Sequence, residues 1–311
     1  MRLRGLISLV SASIVVGLFV TASDPQSLGR WGRAAPMPDE RTEVAVTELM
    51  EKVYVVGGFG GAAILEYDPV TDRWRAHASL PRPLHHTTAA AVGGRLYVVG
   101  GYTGGWNPVD TVWEYDPAVD RWRERARMPT ARGALAVGVI DGKIHAVGGV
   151  GQDRRNTGAH ELYDPATDRW TRLASLPTPR DHLAVGVVAG RLYGIGGRVD
   201  GSYARNLPTN EEYDVGTDRW RERAPLPTAR SGIAVAVLNG KIFVFGGEAP
   251  TGTFNQVEAY DPVADRWTTG APMPTARHGL GAAAVGGRIF VISGGPRPGG
   301  SYSALNEVFT P

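Results

Sequence analysis

ALAVGVIDGKIHAVGG, residues 134–149, and HELYDPATDRWTRLASLP, residues 160–177, decide the fold. Residues 134–140 are small and apolar, a run suited to a strand buried on both faces. Asp141-Gly142 follows, the dipeptide that closes a two-residue hairpin because both positions accept positive φ. Lys143 to Val147 is then a second strand, stopped at Gly148-Gly149, where a side chain would obstruct close backbone packing. After a polar loop, Glu161-Leu162-Tyr163 begins a third strand, and Asp164 to Asp168 supplies a turn. Arg169 to Leu173 forms the fourth and outermost strand, and Leu176-Pro177 leads into the next unit.

This unit repeats along the chain. Glycine doublets after apolar runs begin at Gly57, Gly100, Gly148, Gly196, Gly246 and Gly294, with steps by subtraction of 43, 48, 48, 50 and 48. Trp31, Trp74, Trp122, Trp170, Trp220 and Trp267 keep nearly the same step, at 43, 48, 48, 50 and 47. A four-stranded unit of this size cannot bury both its faces alone, so the units must pack radially on one another. The recurrent Gly-Gly, Tyr-Asp-Pro and Asp-Arg-Trp series resembles the kelch repeat over essentially all the chain after residue 29. The resemblance implies an all-β, six-bladed β-propeller of four-stranded kelch repeats, with blades at about 38–80, 81–128, 129–176, 177–226, 227–273 and 274–311.

The ends complete one another. Gly29-Arg30-Trp31 to Met37-Pro38 reads as an outer strand without the three that should precede it. Residues 283–311 supply an inner, a second and a third strand without a fourth. Residues 29–37 are therefore expected to complete the last blade, which removes an unpaired edge.

Forty-two glycines and 22 prolines suit many short strands joined by tight turns. The net charge of +2 is accounted for by Arg2 and Arg4, so composition offers no electrostatic case for nucleic acid. Those arginines, the apolar run from Gly5 to Val20, and the small side chains of Val20-Thr21-Ala22 read as a signal peptide over residues 1–22. The expected product is residues 23–311, secreted, periplasmic or held at the cell surface, monomeric and without a membrane span after cleavage. The chain has no cysteine, which removes disulfides and thiolate metal sites.

The repeated tryptophans and tyrosines read as packing between blades, and the arginine before each tryptophan as cover for apolar surface. A second arginine series, Arg41, Arg132, Arg180, Arg230 and Arg277, lies three residues after a proline, with Leu84 in its place in the second blade. Kelch resemblance places these residues around the mouth of the central channel, where guanidiniums suit carboxylate ligands. The competing reading is that each arginine bonds backbone carbonyls of its own or an adjacent blade. His85, His86, His182 and His278 lie beside this series, in no strong ligand spacing, and read as polar-rim residues with no metal. The loops after each doublet vary and carry Tyr102, Trp106, Tyr203, Phe254 and Tyr302, aromatics able to stack on sugar or anchor a protein.

Two enzymatic resemblances bear on activity. Kelch-containing galactose oxidase needs a Tyr–Cys radical site, which a chain without cysteine cannot form. Bacterial sialic acid mutarotases (N-acetylneuraminate epimerases) are exported six-bladed kelch propellers whose proposed pair is a Glu after a glycine doublet and an Arg six residues on. Glu248 matches the Glu, but Phe254 stands at the Arg position. The sequence thus points to an exported, cofactor-free, non-catalytic scaffold for a protein, peptide or glycan. Its expected contact residues are Arg41, Arg132, Arg180, Arg230, Arg277, His86, His182, Trp106, Tyr203 and Tyr302. The alternative is a carbohydrate enzyme using Glu248.

Overall fold

The structure, a computed structural model, describes residues 28–311; the expected signal peptide, residues 1–22, lies outside the described residues. All regular structure among the described residues is β, in six four-stranded antiparallel sheets and three two-stranded ribbons. The third blade is built of Ala136–Ile140, Lys143–Val147, His160–Asp164 and Arg169–Arg172. Its first hairpin turns at Asp141 and Gly142, whose φ values of 49° and 72° are those the dipeptide accommodates. The inner strands of consecutive blades touch in turn, and that of the sixth (Gly281–Val285) touches that of the first (Ala45–Leu49), so the ring is closed.

The core lies between blades. Phe243 and Phe245 of the fifth blade pack with Ile289, Val291 and Phe309 of the sixth, and five comparable clusters fill the other interfaces. The motif residues lock these interfaces. Nε1 of Trp74, Trp122, Trp170, Trp220 and Trp267 donates to a carbonyl of the preceding blade's outer strand or its exit, those of Ala35, Ala78, Ala126, Ala174 and Ala224. The Asp two residues before each tryptophan accepts from the N–H of that same alanine and from the hydroxyl of the motif tyrosine, as Asp168 does from Ala126 and Tyr163. The arginine between Asp and Trp is exposed.

Arg30–Arg33 pairs with Asn306–Thr310 and sets Trp31 opposite Phe309, so the last blade is completed by the N-terminal strand. Trp31 repeats the locking bond, donating to the carbonyl of Ala271. No Asp precedes it at the equivalent position. The carbonyl of Leu28 accepts from the Ala271 N–H instead, at 2.9 Å.

One reading of the repeat is corrected. The sixth doublet is Ser293-Gly294, not Gly294-Gly295: Ser293 follows Ile292, ends the strand and takes the left-handed φ of 64° seen at the first glycine elsewhere. A Cβ at Gly148 would lie 2.8 Å from the carbonyl of Arg180, which is why glycine is used there. Ser293 turns the same proximity into a hydrogen bond, its Oγ donating to the carbonyl of Arg41 at 2.6 Å. With Ser293 as the marker, the final step becomes 47 by subtraction and matches the tryptophan series.

Candidate functional site

The residue two positions after each series arginine, or after Leu84, is Glu43, His86, Ala134, His182, Gly232 or Gly279. All six have φ between 50° and 65°. Each N–H donates to the carbonyl of its counterpart in the preceding blade: His86 to Glu43, Ala134 to His86, His182 to Ala134, Gly232 to His182, Gly279 to Gly232 and Glu43 to Gly279, at 2.7–3.2 Å. Six left-handed residues thus make a closed backbone ring at the channel mouth, and their side chains are what the mouth presents. The ring lines a small cavity of about 90 Å³. Beyond it the inner strands enclose an axial cavity of about 390 Å³ lined mainly by Ala, Val and Gly, with Thr47 and Glu48 among its polar residues.

A second shell surrounds the ring. The residue after each arginine bridges to the residue after each glycine doublet, pairing Thr42 with Phe59, His85 with Tyr102, Asp181 with Arg198, Ser231 with Glu248 and His278 with Gly295. On one side this shell is charged. Arg198 donates through Nε to Asp181 at 3.3 Å, through Nη1 to Glu248 at 2.7 Å and through Nη2 to His182 Nε2 at 2.9 Å. Asp181 also bonds His182 Nδ1. Burial would raise the Asp181 carboxyl, but the bond from His182 and the nearby positive charge hold it below its ordinary value. Glu248 is 2% exposed and additionally accepts from the N–H of Gly299.

The other side is aromatic. Phe59 stacks on His85 at 4.0 Å between ring centroids, and His85 on Tyr102 at 5.6 Å. Trp106 edges onto this stack, 5.0 Å from His85, 4.9 Å from His86 and 5.4 Å from Tyr102. Its φ of 59° turns the indole over the cluster, where it is still 54% exposed. Burial lowers the affinity of both His85 and His86 for a proton, in His86 strongly.

The expected contact residues divide sharply. His86 and His182 stand in the ring, Trp106 and Tyr302 are exposed, and Tyr203 lies 5.8 Å from the Arg198 guanidinium. The five arginines do not reach the mouth. Arg41, Arg132, Arg180, Arg230 and Arg277 are all 0% exposed. Arg180 donates to Glu211 at 2.5 Å and to the carbonyls of Gly194 and Gly196; Arg132, Arg230 and Arg277 hold Glu161, Glu258 and Glu307. Each therefore tethers its own blade, and expecting a ligand there is corrected by this burial. In the first blade Asp39 supplies the carboxylate for Arg41, and in the second Leu84 and Trp113 replace the arginine and its Glu together.

Glu43, Asp181 and Arg198 belong to the site without having been singled out in the sequence. Their signal was positional: three places per repeat, one and two after the arginine and one after the doublet, change chemistry from blade to blade while the frame stays fixed.

The KLHDC2/KLHL20/DRC7 Kelch-repeats domain matches this sequence over residues 18–197 and 174–310. Beta-scruin of Limulus polyphemus is 37% identical over 79 residues, 24% of this chain and 9% of that protein. An F-box/kelch-repeat protein of Arabidopsis thaliana is 37% identical over 98 residues, 30% of this chain and 26% of that protein. The matched stretches thus span about a quarter or less of those relatives. The solved structure of YjhT superposes with a TM-score of 0.80 at 18% identity, covering 89% of this chain and 97% of that one, a likeness of fold.

Proposed function

This chain belongs to the kelch-repeat family, and we propose that it is an exported, non-catalytic scaffold that binds a protein or peptide partner through the loop face around the channel mouth. The observation that carries this reading is Trp106, an indole left 54% exposed above a packed aromatic cluster. Exposed aromatics on a rigid base are the usual anchors of protein interfaces, because they bury a large area while losing little side-chain freedom. Tyr302, 42% exposed, adds a second aromatic in the loops of the sixth blade. The backbone ring narrows the mouth, and the five series arginines are buried in their own blades rather than lining it. Both favour surface recognition over a deep reaction chamber. Export rests on the reading of residues 1–22, and the N-terminal mass of the mature protein tests it.

Affinity capture from the native exterior with wild-type protein and Trp106→Ala is the test. Loss of the captured partner in the variant supports the proposal. A partner retained in full by the variant, or glycan-array binding without a protein partner, counts against it.

One observation favours a second reading, a carbohydrate enzyme. Glu248 sits at the mouth beside a guanidinium, that of Arg198 from the neighbouring blade rather than one six residues on. Interconversion of sialic acid anomers above the uncatalysed rate, abolished in Glu248→Gln, would establish it in place of the scaffold.

A further inference from the structure

We infer that Glu43, His86 and His182 form a binding site for a divalent transition ion of the zinc class, set in the backbone ring at the channel mouth. A carboxylate oxygen of Glu43 and one imidazole nitrogen from each histidine all lie within 4.8 Å of one another. They come from three different blades but from the same left-handed ring position, so the backbone that carries them is already held by the six-bond ring.

The hydrogen-bond network aims His86 Nε2 and His182 Nε2 inward. His85 Nδ1 and His86 Nδ1 are hydrogen-bonded at 2.7 Å, and we assign His86 as the donor of that pair. His86 Nε2 therefore carries a lone pair, and it faces Glu43 Oε2 at 3.4 Å. Asp181 takes the Nδ1 proton of His182 and leaves that Nε2 as a lone pair as well. This carboxylate–histidine pairing is the outer-shell arrangement that orients metal-binding imidazoles. His278 repeats the pattern: its Nδ1 bonds the Gly295 carbonyl, and its Nε2 lies 3.6 Å from both Glu43 and Glu248. Lone pairs of imidazole and carboxylate thus converge, His86 Nε2 directly on Glu43 Oε2 and His182 Nε2 beside them with Arg198 Nη2 as its donor. A metal cation between His86 Nε2 and Glu43 Oε2 resolves such a contact.

Charge and spacing agree with a metal. Glu43, Asp181 and Glu248 against Arg198 leave two negative charges when the imidazoles are neutral. Tetrahedral zinc with ligands at about 2.0–2.1 Å sets donor atoms roughly 3.4 Å apart, the spacing already present between His86 Nε2 and Glu43 Oε2. His182 must turn toward them and exchange its bond from Arg198 Nη2, while Arg198 keeps Asp181 and Glu248. Two imidazoles and one carboxylate select zinc, cobalt, nickel or copper over calcium and magnesium.

The test is titration of the untagged protein with Zn²⁺ by calorimetry and with Co²⁺ by visible absorption. The expected result is one equivalent bound, with a tetrahedral or five-coordinate cobalt spectrum, undisturbed by excess Mg²⁺ or Ca²⁺. Glu43→Gln, His86→Ala and His182→Ala should each weaken binding by more than about 100-fold, and Asp181→Asn, which only positions His182, by about 10- to 100-fold. Alanine is compatible with the ring because Ala134 already occupies the equivalent position, and circular dichroism with a melting curve confirms that each variant is folded. Absence of a bound equivalent in wild type would overturn the inference. So would binding that folded ligand variants retain, or binding that His160→Gln, at the buried His145–His160 pair, removes instead.

Discussion

The N–H of Glu43 donates to the carbonyl of Gly279 at 2.7 Å, joining the first blade to the last at the axis. Arg30–Arg33 joins the two ends of the chain at the rim, by pairing with Asn306–Thr310. The propeller is thus closed twice, once by a backbone ring at the mouth and once by the outermost strand. The inner closure decides which side chains meet on the axis. The outer one removes the unpaired edge that an incomplete sixth blade would expose.

Ring geometry makes opposite predictions at two of its members. A Cβ at Gly279 would lie 2.7 Å from the Glu43 carboxyl and would sit at a φ of 60°. Gly279→Ala should therefore destabilise the protein by about 1–2 kcal/mol or more. Ala134 already bears that backbone cost at a φ of 54°, so Ala134→Gly is expected to be neutral or stabilising by up to about 1 kcal/mol. Denaturant unfolding of both variants checks the pair.

Loss of the closing strand should be severe. Trp31 packs against Phe245 and Phe309 and donates to Ala271, so Trp31→Ala is expected to cost about 3 kcal/mol. Trp31→Phe, which loses chiefly the hydrogen bond, should cost about 1 kcal/mol. Deletion of residues 29–37 should lower the melting temperature far more than either. Unchanged thermal stability in the deletion would contradict closure by this strand.

The buried arginines should report on stability and not on binding. Glu211→Leu leaves the Arg180 guanidinium buried without its carboxylate and is expected to cost about 3–5 kcal/mol. Arg180→Leu with Glu211→Leu should recover a good part of that loss, since the second blade already builds this position from Leu84 and Trp113. A double-mutant cycle measures the coupling. Partner capture should be the same for wild type and any folded double variant.

These contrasts show where the sequence was legible. Strand order, blade number and terminal closure follow from motifs such as Tyr163, Asp168 and Trp170, because the same local contacts are required in every blade. The arginine series misled for that very reason: a residue repeated for the frame resembles a residue repeated for a ligand. Its partner was visible too, since Glu161, Glu211, Glu258 and Glu307 each stand two before the motif tyrosine or Phe309, where the second blade has Trp113. The mouth was harder to read. Glu43, His86 and His182 meet only because the ring brings remote positions together, and Arg198 reaches Glu248 only across a blade boundary.

Acid should unfold the protein through its buried imidazoles. Burial depresses His145 to about 4 and His160 to about 3, and it depresses His86 strongly. These groups are neutral in the folded state and protonate near 6.5 once unfolded, so the unfolded chain binds more protons below that pH. Their contribution is intact above about pH 6.5 and is lost as pH falls toward the folded values, by up to about 1.4 kcal/mol per pH unit for each imidazole. Stability measured from pH 7 to pH 4.5 should fall with that slope, and His160→Gln should flatten it.

The central claim is that the face bearing Trp106 is the working face. A photo-crosslinking amino acid placed at Trp106, and in a separate protein at Val263, compares the two sides. Val263 is 95% exposed in the turn between the third and fourth strands of the fifth blade, at the end of the blade away from the mouth. In its native setting, the account predicts a discrete covalent adduct from position 106 and none from position 263. An adduct from 263 with none from 106 would contradict it.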